Sequence, residues 1–169
     1  IRSEEDVVLS FSPHDISMVL SLAGSKPVSV KRDSLSILQK GIDDIARLNI
    51  EFSNGLKSDI NVSWVNPIKE QKLVLIGETG MAIFDDTLQW EQKLAIYDHK
   101  VNFDDMSVLK SNPIYIEVPK AEPLKEECSY FYNVVDGKSD PITNGEEGYS
   151  VLSVLEAAEK AKLGHKITL

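Results

Sequence analysis

The chain of 169 residues contains one cysteine, Cys128, so it can form no disulfide within itself and build no multi-cysteine zinc site. That usage fits a reducing compartment, and a cytoplasmic location is the expectation. No apolar run approaches the ~20 residues that a membrane-spanning helix needs. The opening Ile1-Arg2-Ser3-Glu4-Glu5-Asp6 is charged where a signal peptide would be apolar. Basic residues are in deficit: 18 Lys+Arg face 27 Asp+Glu, a formal net charge of −9. Phosphate-rich surfaces attract basic proteins, so neither nucleic acid nor an anionic membrane is expected as a partner. Cofactor motifs are missing as well. There is no G-x-G-x-x-G after a strand, no Walker-type lysine loop and no H-E-x-x-H, so dinucleotide binding by this chain alone is not expected. His14, His99 and His165 lie far apart in sequence without ligand spacing, and no metal site is expected.

What is present reads as an ordinary folded chain, 42% hydrophobic and 27% charged, of a length that suits one domain. Val7-Val8-Leu9 leads within a few residues into a helix signal, as in a piece cut from a longer polypeptide. Ser12-Pro13-His14-Asp15 looks like a helix start, with Ser12 as N-cap and Pro13 at the first helical position. Ile16, Leu20 and Ala23 then recur at helical spacing, and Gly24 closes the helix. A short strand follows over Pro27 to Arg32. Arg47 to Phe52 alternates polar and apolar residues, Asn54-Gly55 signals a hairpin, and Ile60, Val62 and Trp64 share one face of the return strand. Lys72 to Ile76 and Met81 to Phe84 form a second hairpin around Gly77 to Gly80. Leu94 to Tyr97 and Ile114 to Val118 add further strands. Pro123 opens a helix with Leu124, Cys128, Phe131 and Val135 on one face, so Cys128 is expected as a buried structural thiol. Asn144, with Glu147 three residues on, starts a last helix with the stripe Val151, Leu155 and Ala158, which Gly164 ends. Lys166 to Leu169 suits a short final strand. The fold class is therefore α+β: an open, mostly antiparallel β-sheet with helices packed on one face.

Few residues carry a chemical signal. Gly77-Glu78-Thr79-Gly80 sits between strands and reads as a turn. Asp85-Asp86 and Asp104-Asp105 are acidic pairs of the kind that loops leave solvated. Ser10 and Ser12 have a histidine nearby, but no nucleophile elbow surrounds them, and a hydrolase would need a third orienting group that is not found. His14 is the best single candidate. In the first turn of a helix, free N–H groups and the helix dipole would keep an imidazole neutral, which suits a general base. The other reading is a histidine that only fills that turn.

At His14 a resemblance enters. Ser10-Phe11-Ser12-Pro13-His14-Asp15-Ile16-Ser17, then Ser63 to Gln71, Gly77 to Asp86, Glu122 to Cys128, and Asn144 to Gly148 running into Val154 to Ala158, occur in order. Together they resemble the glucose–fructose oxidoreductase / inositol dehydrogenase / MocA family, and within it the nucleotide-sugar 3-dehydrogenase-like branch. The resemblance implies that residues 1–169 are the C-terminal substrate-binding and oligomerisation domain of a longer oxidoreductase, whose N-terminal Rossmann domain holds NAD or NADP and a catalytic lysine. It also implies a homodimer or homotetramer through the sheet face, where Asn49, Asn61 and Ser63 would make a moderately polar interface. His14 is then the catalytic residue that removes or orients the proton of a sugar hydroxyl. The family places an Asp four residues earlier; Ser10 stands there instead, able to hydrogen-bond a hydroxyl but not to hold charge. Arg2 and Lys69 are the remaining substrate-binding candidates, for a carboxylate or a diphosphate. The alternative is a binding or scaffold domain that retains the fold without the dehydrogenase chemistry.

Overall fold

The fold is that of a computed structural model, which describes residues 4–102, 104, 106–109, 111–163 and 165–169. The chain divides into two compact units, residues 1–66 with 141–169 and residues 67–140.

The first unit starts with α1 (Val7–Ala23), capped by Asp6, whose carboxylate accepts from the backbone N–H groups of Val8 and Leu9 at 3.0 and 3.3 Å. The helix thus begins well before Ser12, and Pro13 lies inside it. An interior proline costs roughly 3 kcal/mol. Here the Asp6 cap and the complete burial of Val7 and Val8 offset that cost and extend the helix upstream. Gly24 takes the left-handed conformation (φ 59°) that a helix C-cap requires. Strands β1 (Pro27–Leu35), β2 (Ile45–Phe52) and β3 (Lys57–Ser63) follow as antiparallel neighbours, and β10 (Ile167–Thr168) pairs with the outer edge of β1. Helix α3 (Gly145–Lys160) starts at Asn144, whose side chain accepts from the N–H groups of Glu146 and Glu147, both at 3.0 Å. The Glu147 carboxylate does not close a capping box; it accepts a hydrogen bond from Ser17 of α1 at 2.5 Å.

Alternation in the strands decides the layering. Val30, Arg32, Ala46, Leu48, Ile50, Phe52, Ile60 and Val62 line one face, under α1 and α3, with Ile16, Val154, Leu155 and Ala158 in the same core. The opposite face carries Lys31–Asp33, Arg47–Asp59 and Glu51 between Lys57 and Lys166. That face is far more charged than the expectation built on Asn49, Asn61 and Ser63, because the polar positions of each strand are filled mainly by ion pairs. The hydrogen bond from Lys166, joined by one from Ser29, brings the Glu51 carboxyl down to about 2.

The second unit holds β4 (Lys72–Ile76), β5 (Met81–Asp85), β6 (Leu94–Tyr97) and β9 (Ile114–Ile116) as one antiparallel sheet in that order. A separate hairpin, β7 (Lys100–Asn102) with β8 (Ser107–Leu109), was not legible in the sequence. Helix α2 (Pro123–Val135) buries none of its residues: Leu124, Phe131 and Val135 are exposed, and so is Cys128. The expected buried thiol is thereby corrected: the apolar face of α2 is not part of a core among the described residues. Among the described residues of the unit only Asp85 and Ala95 are buried.

Candidate functional site

Helical spacing sets the geometry of the candidate site. Ser10 and His14 lie one turn apart on α1, so they share one side of the helix, with Ser10 half-buried and His14 exposed. The fold thus brings those two sequence candidates together. Lys69 belongs to the second unit, exposed and 3.8 Å from Asp86. Arg2 lies outside the described residues. His14 itself is exposed and two turns inside the helix, not in the first turn. The dipole argument for a neutral imidazole therefore falls, because that field is confined to the terminal turn. Ser12, one residue before the proline, faces the core, completely buried and without a hydrogen-bond partner among the described residues. It cannot meet His14 as a nucleophile, and the hydrolase alternative falls with it.

One row over from Ser10 and His14 run Phe11 and Asp15, again one turn apart. Phe11 is 46% exposed and packs edge-on against Trp64, with ring centroids 6.4 Å apart and planes at 89°. The Trp64 indole N–H donates to Asp44 at 2.6 Å, and Asp44 also accepts from the backbone N–H groups of Ile37 and Leu38. The aromatic edge is therefore pinned from behind. Asp15 is half-buried, and burial pushes its carboxyl above the ordinary range, against a smaller opposing pull from the charge of His14. Sequence reasoning gave Asp15 no role beyond the helix-start signal Ser12-Pro13-His14-Asp15 and the family segment; the signal that could have found it was the Phe11/Asp15 spacing beside the Ser10/His14 spacing.

Beneath the start of α1 lies a buried ionic cluster. The Arg32 guanidinium, wholly inaccessible, donates to Asp6 and to Asp43 at 2.5 and 2.6 Å and to Glu159. Lys162 adds contacts to Asp6 at 3.2 Å and Asp43 at 3.6 Å. Burial opposes ionisation of Asp6, but Arg32 and the helix N–H groups outweigh it and hold that carboxyl below its usual value. At Asp43, burial is likewise outweighed by hydrogen bonds from Ser34, Ser36 and Arg32. The cluster joins α1, β1, the β1–β2 connection and α3, and so fixes the helix that presents His14.

Gly77 and Gly80 close the β4–β5 hairpin, with the Gly77 N–H donating to the Gly80 carbonyl at 2.9 Å, so their polar groups serve the turn. Among the described residues no three His, Cys, Asp or Glu side chains gather as for a metal ion, and no helix is long and apolar enough to cross a membrane. Asp85 is taken by Thr87 and Lys72, and Asp86 by Lys93 and Lys69. Asp105 lies outside the described residues.

Fold and site define an α+β architecture that presents His14 on the outer side of α1. Residues 4–83 match the family model of the GFO/IDH/MocA C-terminal domain. Solved structures agree on the fold. UDP-N-acetylglucosamine 3-dehydrogenase GnnA from Acidithiobacillus ferrooxidans is similar at a TM-score of 0.79 and 20% identity, over 94% of this chain and 48% of its own. An NAD-binding protein from Listeria innocua is similar at 0.72 and 24%, over 97% and 51%. The WlbA dehydrogenase from Bordetella pertussis, in complex with NADH and UDP-GlcNAcA, is similar at 0.69 and 19%, over 98% and 45%. The chain spans about half the length of these structures. No curated protein matches it.

Proposed function

We propose that this chain is the substrate-binding and oligomerisation domain of an NAD(P)-dependent sugar dehydrogenase, acting on a nucleotide-sugar hydroxyl such as C3 of UDP-N-acetylglucosamine. The observation that carries the reading is the one-turn spacing of half-buried Ser10 and exposed His14 on α1, within the segment that matches the GFO/IDH/MocA C-terminal domain. In this reading Ser10 hydrogen-bonds the sugar hydroxyl and the His14 imidazole accepts its proton. NAD or NADP belongs to an N-terminal Rossmann domain, and the isolated 169-residue chain is inactive. Arg2 and Lys69 are proposed contacts for the anionic part of the substrate, and the site is cytoplasmic. The named dehydrogenases among the similar structures support the substrate class. The second unit supports self-association into a homodimer or homotetramer, because its sheet carries apolar side chains on both faces. The test is His14→Ala in the full-length enzyme, where kcat falls by roughly 10²–10⁴-fold, the usual worth of a positioned acid–base group. Near-normal turnover removes His14 from the chemistry.

A further inference from the structure

The acids of the first unit that are shielded from water are held by partners, with one exception. Asp6 is bonded to Arg32, Lys162 and two helix N–H groups. Asp43 is bonded to Arg32, Ser34 and Ser36, and Asp44 to Trp64 and two backbone N–H groups. Asp15 is the exception: no hydrogen bond or ion pair reaches its carboxylate among the described residues, although it is half-buried on α1. A shielded carboxylate without donors is a net cost to the fold. It sits one row from His14 and one turn from Phe11, whose ring is backed by Trp64.

Resting on the sugar reading above, we propose that Asp15 is a substrate-specificity residue. Its carboxylate accepts a hydrogen bond from a second hydroxyl of the sugar, while Phe11 offers its exposed ring to the C–H face of that sugar. The chemistry favours such a ligand over others. A carboxylate only accepts, so its occupant must bring O–H or N–H donors, and an aromatic edge beside it asks for an apolar patch on the same molecule. A hydroxylated pyranose has both. The arrangement also accounts for an acid that the fold itself does not satisfy, since its donors arrive with the ligand.

The test uses the 169-residue chain as it stands, with UDP-N-acetylglucosamine as the probe and backbone amide NMR as the readout, beside a thermal melt. The wild-type chain shows shifts centred on residues 10–15. Asp15→Asn retains or raises Tm, by roughly 1–4 °C, and binds about 10–100-fold more weakly, as expected for loss of a charge-assisted hydrogen bond. Shifts at His14 with affinity unchanged in Asp15→Asn overturn the role of Asp15 and leave the sugar reading standing. Absence of shifts anywhere in the wild-type chain overturns the sugar reading and the Asp15 role together. A Tm lowered by several degrees in Asp15→Asn makes the carboxylate structural and overturns the proposal by itself.

Discussion

The two units of the chain are each built on a four-stranded antiparallel sheet, yet they treat their faces in opposite ways. In the first unit, Arg47-Leu48-Asn49-Ile50-Glu51-Phe52 alternates, one face packs under α1 and α3, and the other carries ion pairs. In the second unit, Leu73-Val74-Leu75-Ile76, Met81-Ala82-Ile83-Phe84, Leu94-Ala95-Ile96-Tyr97 and Ile114-Tyr115-Ile116 are continuous apolar runs. The registers sort them into two faces. Leu73, Phe84, Leu94 and Ile116 stand together on one, and Val74, Ile83, Ala95 and Tyr115 on the other. Continuous apolar strands are the pattern of a sheet covered on both sides. Yet α2 buries none of its residues, and Val74, Ile76, Ile114 and Tyr115 are exposed. The first unit has a core of its own, organised round a buried charge; the second leaves apolar side chains exposed.

The largest expected effect breaks that organised interior. Arg32→Ala leaves Asp6 and Asp43 buried and Glu159 partly so, without their common guanidinium. Removing one member of a buried ion pair typically costs about 3–5 kcal/mol. Urea unfolding of the chain is the measurement, and a loss below about 1 kcal/mol would show that the cluster does not hold α1 to the sheet. Domain stabilities are commonly ~5–15 kcal/mol, so this single change takes a large share of the whole.

A smaller effect comes from acid. Asp6 and Asp43 have carboxyls held below the ordinary aspartate value of 3.8 in the folded state. Their stabilisation is therefore fully present above that unfolded value and is lost as pH falls through the lower folded ones. Asp15 has the opposite sign: its raised carboxyl makes ionisation costly to the fold, and that cost disappears on protonation. Stability measured by urea melts should stay level down to about pH 4 and drop below it. Because Arg32 and its two aspartates are shielded, about 1 M salt should change the drop little, although it collapses the Debye length to ~3 Å. The exposed Lys69–Asp86 pair of the second unit is screened under the same conditions. A drop abolished by salt would place the acid-sensitive charges on the surface.

Much of this was legible from sequence, for reasons that differ by element. The Asn54-Gly55 hairpin, the Asn144 cap and the α3 stripe rest on local rules, and the structure keeps them. The start of α1 was misplaced because Ser12-Pro13 imitates a helix N-terminus. The true cap, Asp6, is strengthened by Arg32 and Lys162, distant in sequence and invisible to a local reading. The same error put His14 in the wrong field, although its pairing with Ser10 depends only on helical spacing and stands. Burial of α2 was inferred from periodicity, which tells which residues share a face but not whether anything covers it. Asp15 escaped notice because an unmet carboxylate is recognised only after the partners of every other shielded acid have been accounted for.

The smallest expected change in stability carries the most information about the second unit. Ile114→Lys and Val74→Lys place a charge on opposite faces of its sheet, at side chains already 57% and 43% exposed. Exposed positions usually tolerate substitution within about 0.5 kcal/mol, so each variant should unfold almost as the wild type does. Self-association should respond differently. If a second copy covers the Ile114 face, sedimentation of wild-type chain shows association at high-micromolar concentration that Ile114→Lys abolishes and Val74→Lys leaves intact; cover on the Val74 face reverses the two. A wild-type chain that stays monomeric would remove self-association through this sheet from the reading. Equal association in both variants would move the interface elsewhere, most directly to the charged face of the first unit, where Arg47 and Asp59 would then have to exchange partners between copies. The outcome turns on the contrast between the units: one sheet satisfies its outward face with its own ion pairs, and the other carries apolar side chains on both faces.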